Sequence, residues 1–203
     1  MKQIRIVLIT WLAFSLSPLC LAQQVQPGGI AKRRFKHRGQ IVSSYDKSSN
    51  KTTVVLNPYE IPGSAADQGE NKEYFSIMCG FIYQGRTMIG YPETVEFHII
   101  SDGTRGFKFD DEKKRTLSIE IDGERIRLGK MTLVRSKHFA FGSSPVNLAR
   151  NGYLEELSII LTYQGLVKLA EGKKVSLLVG EQKIVLDNEH MEALRDLASR
   201  INL

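Results

Sequence analysis

The side chains best suited to chemistry are scattered through this chain, and none sits at a spacing that builds a known site. His37, His98, His138 and His190 are far apart in sequence, with no i, i+2 or i, i+4 pair to seed a metal centre. There is no Gly-x-Ser-x-Gly elbow, no His-Glu-x-x-His, no Cys-x-x-Cys and no glycine-rich phosphate loop before a helix. A nucleophile–base–acid set can be assembled only from distant positions: Ser143 or Ser144, His98 or His138, and Asp102. Hydroxyls in a Gly/Ser/Pro loop usually shape turns through local backbone bonds instead. Asp110-Asp111-Glu112 lacks the alternating oxygen ligands of a Ca²⁺ loop, and Lys113-Lys114-Arg115 neutralises it, so a solvated charged turn is expected there. Glu93 and Glu96 lie an odd number apart on an extended segment and face opposite sides, which rules them out as an acid/base pair. These patterns assign no catalytic residue, no metal and no cofactor.

One cluster is locally unusual. Lys32, Arg33, Arg34, Lys36 and Arg38 fall within seven positions and enclose Phe35. Guanidinium groups grip phosphate or sulfate bidentately, so these five residues are the candidate polyanion contacts. They also explain the formal net charge of +6. Of the 28 basic residues, two (Lys2, Arg5) lie near the N-terminus and five in this cluster, leaving 21 against all 22 acidic residues. The rest of the chain is neutral, which disfavours nucleic acid; in an exported protein the polyanions to expect are anionic glycans or lipid head groups, met only by the cluster, and the alternative is an arm that is merely solvated.

The compartment follows from residues 1–22. Lys2 and Arg5 precede an apolar stretch from Ile6 to Leu16, Pro18 breaks it, and Cys20-Leu21-Ala22 ends in small residues before Gln23. This is the pattern of a cleaved signal peptide, and the stretch is shorter than the ~20 apolar residues a membrane span needs. Leu19 before Cys20 argues against lipidation, where a small residue is normal. Cleavage would leave Cys79 as the sole cysteine, expected to be buried among its apolar neighbours. A secreted or periplasmic location is expected, with a bacterial source favoured. Asn50-Lys51-Thr52 is a glycosylation acceptor pattern that matters only in a eukaryotic source.

Positioning these residues requires mainly β elements. Residues 23–39 read as an exposed basic arm, about 55 Å long if fully extended, and 40–203 as a single β-rich domain. Segments 40–46 and 52–57 flank a polar turn, and 58–72 reads as a Pro/Gly/Asp loop. Segment 73–83 is a long apolar strand expected to be covered on both faces. Segment 93–101 alternates Thr94, Glu96, His98 and Ile100 against Val95, Phe97 and Ile99. Asp122-Gly123 is the strongest hairpin signal, joining 115–121 to 124–128, and 131–135 is expected to continue that meander. Gly142 opens an irregular stretch that runs to Gly152. Segment 153–161 alternates as a strand but also suits a helix.

Thr162 can cap a short helix over 162–171 ended by Gly172. Segments 174–179 and 182–186 turn through Gly180-Glu181. Asp187 or Asn188 can cap a last helix over 188–201, with Met191, Leu194, Leu197, Ala198 and Ile201 on one face. The fold class is therefore α+β, mainly β, as an antiparallel sandwich or twisted meander sheets with these two helices. The function expected is that of an exported non-enzymatic protein that binds an envelope or extracellular partner. The alternatives are a small secreted hydrolase whose site is assembled from distant residues, and a structural subunit of an envelope assembly.

Overall fold

The computed structural model describes residues 35–61, 73–92, 94–103, 108–140 and 151–201. In chain order the strands are β1 (Ile41–Asp46), β2 (Lys51–Ile61), β3 (Glu73–Gln84), β4 (Val95–Gly103), β5 (Thr116–Ile121), β6 (Glu124–Lys130), β7 (Thr132–Ala140) and β8 (Asn151–Leu161). Helix α1 (Tyr163–Glu171), β9 (Val175–Val179), β10 (Gln182–Leu186) and helix α2 (Asn188–Ser199) follow. The strands form two antiparallel sheets, one ordered β1-β2-β3-β4-β8-β7 and the other β10-β9-β5-β6. The α+β, mainly β class read from the sequence is the observed one. Segment 153–161 lies within strand β8 and not in a helix.

Local chemistry explains the turns. Asp122 and Gly123 take φ of 51° and 94°, the two positive values that a type I′ hairpin demands. Asp122 also accepts hydrogen bonds from the backbone N–H of Lys173 and Lys174, tying this turn to the start of β9. Thr162 caps α1 by accepting from Gly165 N–H, and Asp187 caps α2 by accepting from His190 N–H. Gly172 does end α1, but its φ of −57° is ordinary. Glycine is needed there for space: a Cβ would stand 2.7 Å from Val175 Cγ2 and 2.8 Å from Ile121 Cγ2.

Three sequence expectations are corrected. Strand β2 runs through Pro58 to Ile61 where a loop was expected, because a register shift between Leu56 and Tyr59 lets a residue without an N–H sit in the ladder. Segment 131–135 does not continue the β5–β6 meander. Buried Met131 carries the chain across, and β7 pairs with β8 in the other sheet. Strand β3 is covered on one face only: Phe75, Ile77, Cys79 and Phe81 are buried, while Tyr74 and Ile82 face solvent.

One contiguous cluster of buried side chains draws on both sheets and both helices, from Leu56, Phe97 and Leu157 to Leu117, Leu177, Leu169 and Leu194. Burying each such side chain is worth about 1.5–3 kcal/mol relative to exposure. Glu155 also points into this layer. Its carboxylate accepts the backbone N–H groups of Lys108 (2.7 Å) and Phe109 (2.8 Å), seating Phe109 in the core. Among the described residues, no helix is long and apolar enough to cross a membrane.

Candidate functional site

The opposite, outer face of the six-stranded sheet carries the most unusual chemistry. Alternation along β4 sends Val95, Phe97 and Ile99 into the core and Glu96, His98 and Ile100 outward. The register then sets His98 between Met78 on β3 and Ser158 on β8. Although it stands on an outer face, His98 is only 5% exposed. Its Nδ1 lies 2.9 Å from Glu156 Oε1, and its Nε2 lies 3.5 Å from Glu96 Oε2. The second carboxylate oxygen of Glu156 accepts from Arg135 Nη2 at 2.8 Å. A register shift between Leu133 and Arg135 puts Arg135 on this face, where strict alternation from Thr132 would have turned it inward.

The electrostatics are mutually supporting. Burial is the largest single influence on His98 and favours the neutral ring, but hydrogen bonds and charge from Glu156 and Glu96 together outweigh it and raise the pKa. The His98 hydrogen bond is the main reason that Glu156 sits below its ordinary range. Burial opposes this shift, and the charge of Arg135 adds to it. Both ring nitrogens face acceptor oxygens, so satisfying both takes an N–H on each. With His98 protonated, the row Arg135–Glu156–His98–Glu96 alternates in charge and sums to zero. While protonated, such a ring has no lone pair with which to take a proton from a nucleophile.

Apolar side chains surround this row. Val42, Tyr74, Ile82 and Ile160 are all exposed on the same face, Ile160 by 55%. A depression of about 70 Å³ opens over Gly80, lined by Thr53, Val55, Met78, Ile82, Thr94, Glu96 and His98. The outer face of the four-stranded sheet differs: Glu120 there faces Arg125 at 4.0 Å and Lys183 at 3.5 Å, and Val185 is its exposed apolar residue.

Of the five candidate polyanion contacts, Lys32, Arg33 and Arg34 lie outside the described residues, as does the leader. Lys36 is exposed. The Arg38 side chain is 75% exposed, yet its Nε donates to Glu189 on α2 at 2.9 Å. That hydrogen bond and the Glu189 charge raise the Arg38 pKa further. The described end of the arm is therefore fastened to the domain and not fully exposed. His37 Nε2 meets Asp196 at 3.0 Å, and Gly39 lies against Leu56, Tyr59 and Ala193. Glu189, Ala193 and Asp196 form one stripe along α2, spaced four and three residues apart.

The distant nucleophile set is not assembled. Asp102 is four residues from His98 on β4, about 13 Å along the strand, and the carboxylate on His98 Nδ1 is that of Glu156. His138 is exposed and its ring tilts against Tyr153, with centroids 4.8 Å apart. Ser143, Ser144 and Glu93 lie outside the described residues. In the acidic run, Asp111 accepts from Lys113 N–H as the cap of a short 3₁₀ turn, and Glu112 pairs with Lys130. Among the described residues, no group of three or more His, Cys, Asp or Glu side chains is placed to hold a metal ion. Cys79 is fully buried, and burial pushes its thiol pKa far up. Asn50 closes the β1–β2 hairpin with a φ of 52° and accepts from the Tyr45 hydroxyl.

Sequence reasoning missed Glu156 and Arg135 as partners of His98. The available signal was the polar side of the 156–161 alternation, but the pairing register of β4 with β8 is a long-range property. It also missed His190, which is fully buried. The His190 Nδ1 lies 2.6 Å from Asp187, its Nε2 lies 2.8 Å from the Glu60 carbonyl, and the ring stacks on Tyr59. This second histidine joins α2 to β2. No family model, curated protein or solved structure matches the chain.

Proposed function

We propose that this chain is an exported, non-catalytic protein that holds an envelope or extracellular protein partner against the outer face of its six-stranded sheet. The supporting observation is the placement of Val42, Tyr74, Ile82 and Ile160 on a single face around a polar row that is already largely desolvated. Apolar side chains gathered on one exposed face characterise contact surfaces, whereas scattered ones do not. Both ring nitrogens of His98 face carboxylates and, among the described residues, none of the candidate nucleophiles, which weighs against the hydrolase alternative. Export rests on the n-region and apolar stretch of residues 1–22 and places the partner outside the cytoplasm. The test is an Ile82→Glu/Ile160→Glu variant. It should keep the wild-type unfolding curve, since both side chains face solvent, while losing the co-migrating partner on native gels of the source organism's envelope or culture fluid. Retention of the partner by a folded variant overturns the assignment.

A second contact is supported by Lys36, which is exposed and has no ion pair among the described residues. With Lys32, Arg33, Arg34 and Arg38 it gives the arm an affinity for anionic glycans or lipid head groups. Its release with salt would follow from counterion displacement and screening. Binding of the mature chain and of a version starting at Gln40 to heparin, anionic liposomes and DNA at two salt concentrations tests this. Equal retention of both versions refutes a role for the arm.

A further inference from the structure

We propose that the depression over Gly80 is a socket for an alkylammonium group, namely a lysine side chain of the protein partner; this rests on the face-binding function stated above. The vacancy is built into the sheet. A Cβ at position 80 would stand 2.8 Å from the Val54 carbonyl oxygen and 2.9 Å from Val55 Cγ2, so the close pairing of β2 with β3 admits only glycine there. Val55, Met78 and Ile82 then wall an apolar hole in an otherwise continuous row of side chains.

Size selects the occupant. A volume of about 70 Å³ exceeds the ~10–15 Å³ that one water needs but falls well below the ~150 Å³ cavity that takes benzene. It has room for a few methylene groups and less than half the space of a cavity that encloses an aromatic ring. Charge selects the head group. Glu96 stands on the rim, and only one of its carboxylate oxygens is engaged, at the long distance of 3.5 Å from His98. Among the described residues its other oxygen has no partner. The hydroxyls of Thr53 and Thr94 on the same rim add acceptors. His98 cannot draw in an anion, because it is buried and faces a carboxylate on each side. An apolar stem with a cationic donor at its tip matches these walls and this rim, and that is a lysine side chain.

The probes are n-butylammonium, n-butanol and n-butyrate, titrated into the ¹⁵N-labelled mature chain with amide chemical shifts as the readout. Butylammonium should move the Gly80, Ile82, Thr94 and Glu96 amides saturably, with a dissociation constant on the order of millimolar for so small a ligand. Butanol should bind about tenfold more weakly, and butyrate should not saturate these shifts. Glu96→Gln should bring butylammonium down to the level of butanol. Equal shifts from all three probes, no saturable shift, or a Glu96→Gln protein that binds butylammonium as well as the wild type would each overturn the socket. The three-probe comparison needs no variant and so does not depend on how Glu96→Gln folds. Failure here while the folded Ile82→Glu/Ile160→Glu variant still loses its partner refutes the socket alone, whereas failure here together with a folded variant that retains its partner refutes the binding face as well.

Discussion

Replacing Glu156 with Gln removes the anion shared by His98 and Arg135 and leaves a buried imidazolium with one distant partner. Breaking a buried ion pair costs about 3–5 kcal/mol, and a hydrogen bond to a charged group is worth about 1.5–3 kcal/mol. The Arg135 side chain is 46% exposed and can turn to water, while Glu96 still faces the ring. The lower part of the combined range therefore applies, about 2–3 kcal/mol near pH 6. For a chain of this size that corresponds to a fall in Tm of roughly 5–10 °C.

The penalty depends on pH in a fixed direction. The folded His98 pKa is raised, so the stabilisation from its charged form is full below the unfolded value of about 6.5 and is lost as pH rises through the folded value. The Glu156 pKa is lowered, so its contribution is present above about pH 4.3 and is lost as pH falls through the folded value. The pair is thus strongest between about pH 4.3 and 6.5. Urea unfolding of wild type, Glu156→Gln, His98→Gln and the double variant at pH 6 and pH 9 measures the coupling. His37 and His190 are common to all four proteins and cancel in the cycle. A coupling at pH 9 equal to or larger than that at pH 6 would refute the ion-pair assignment.

Glu155→Gln should destabilise by about 2 kcal/mol in thermal unfolding, because an amide NH₂ cannot accept from both Lys108 and Phe109. Gly172→Ala should cost about 1–3 kcal/mol by overpacking against Val175 and Ile121. Gly123→Ala, with open space around it but a φ of 94°, should cost about 1 kcal/mol through backbone strain alone. A core variant such as Val175→Ala should therefore relieve the first of these two costs and not the second. Cys79, buried and with its thiol pKa raised, should resist iodoacetamide in the native protein and react only at the rate of global unfolding.

Local signals in the sequence carried the turns, the helix caps and the strand periods. Asp122-Gly123, Thr162 and Asp187 behave as their chemistry dictates because each acts within a few residues of chain. Gly172 ends α1 as its position suggests, but through close packing, which requires knowing that Ile121 and Val175 lie beside it. Long-range choices were not legible. Nothing local to 131–135 shows that β7 leaves β6 for β8, and the bulge that turns Arg135 outward exists only in that pairing. His98 and Glu156 are 58 residues apart and meet through the β4–β8 register. The apolar run of 73–83 was legible, yet its burial on both faces was the wrong inference. An antiparallel strand with one covered face needs no second apolar side for folding, and the exposed Tyr74 and Ile82 are the part of that run left for a partner.

Docking of a partner on this face is tested most directly by site-specific photo-cross-linking in the source cell. Benzoylphenylalanine is placed at position 82 or 160 on the six-stranded sheet, and at position 185 on the outer face of the other sheet. A partner seated on the six-stranded sheet gives one discrete cross-linked species of the same mass from 82 and 160 and none from 185. Cross-links from 185 alone, or none from either 82 or 160, would contradict it.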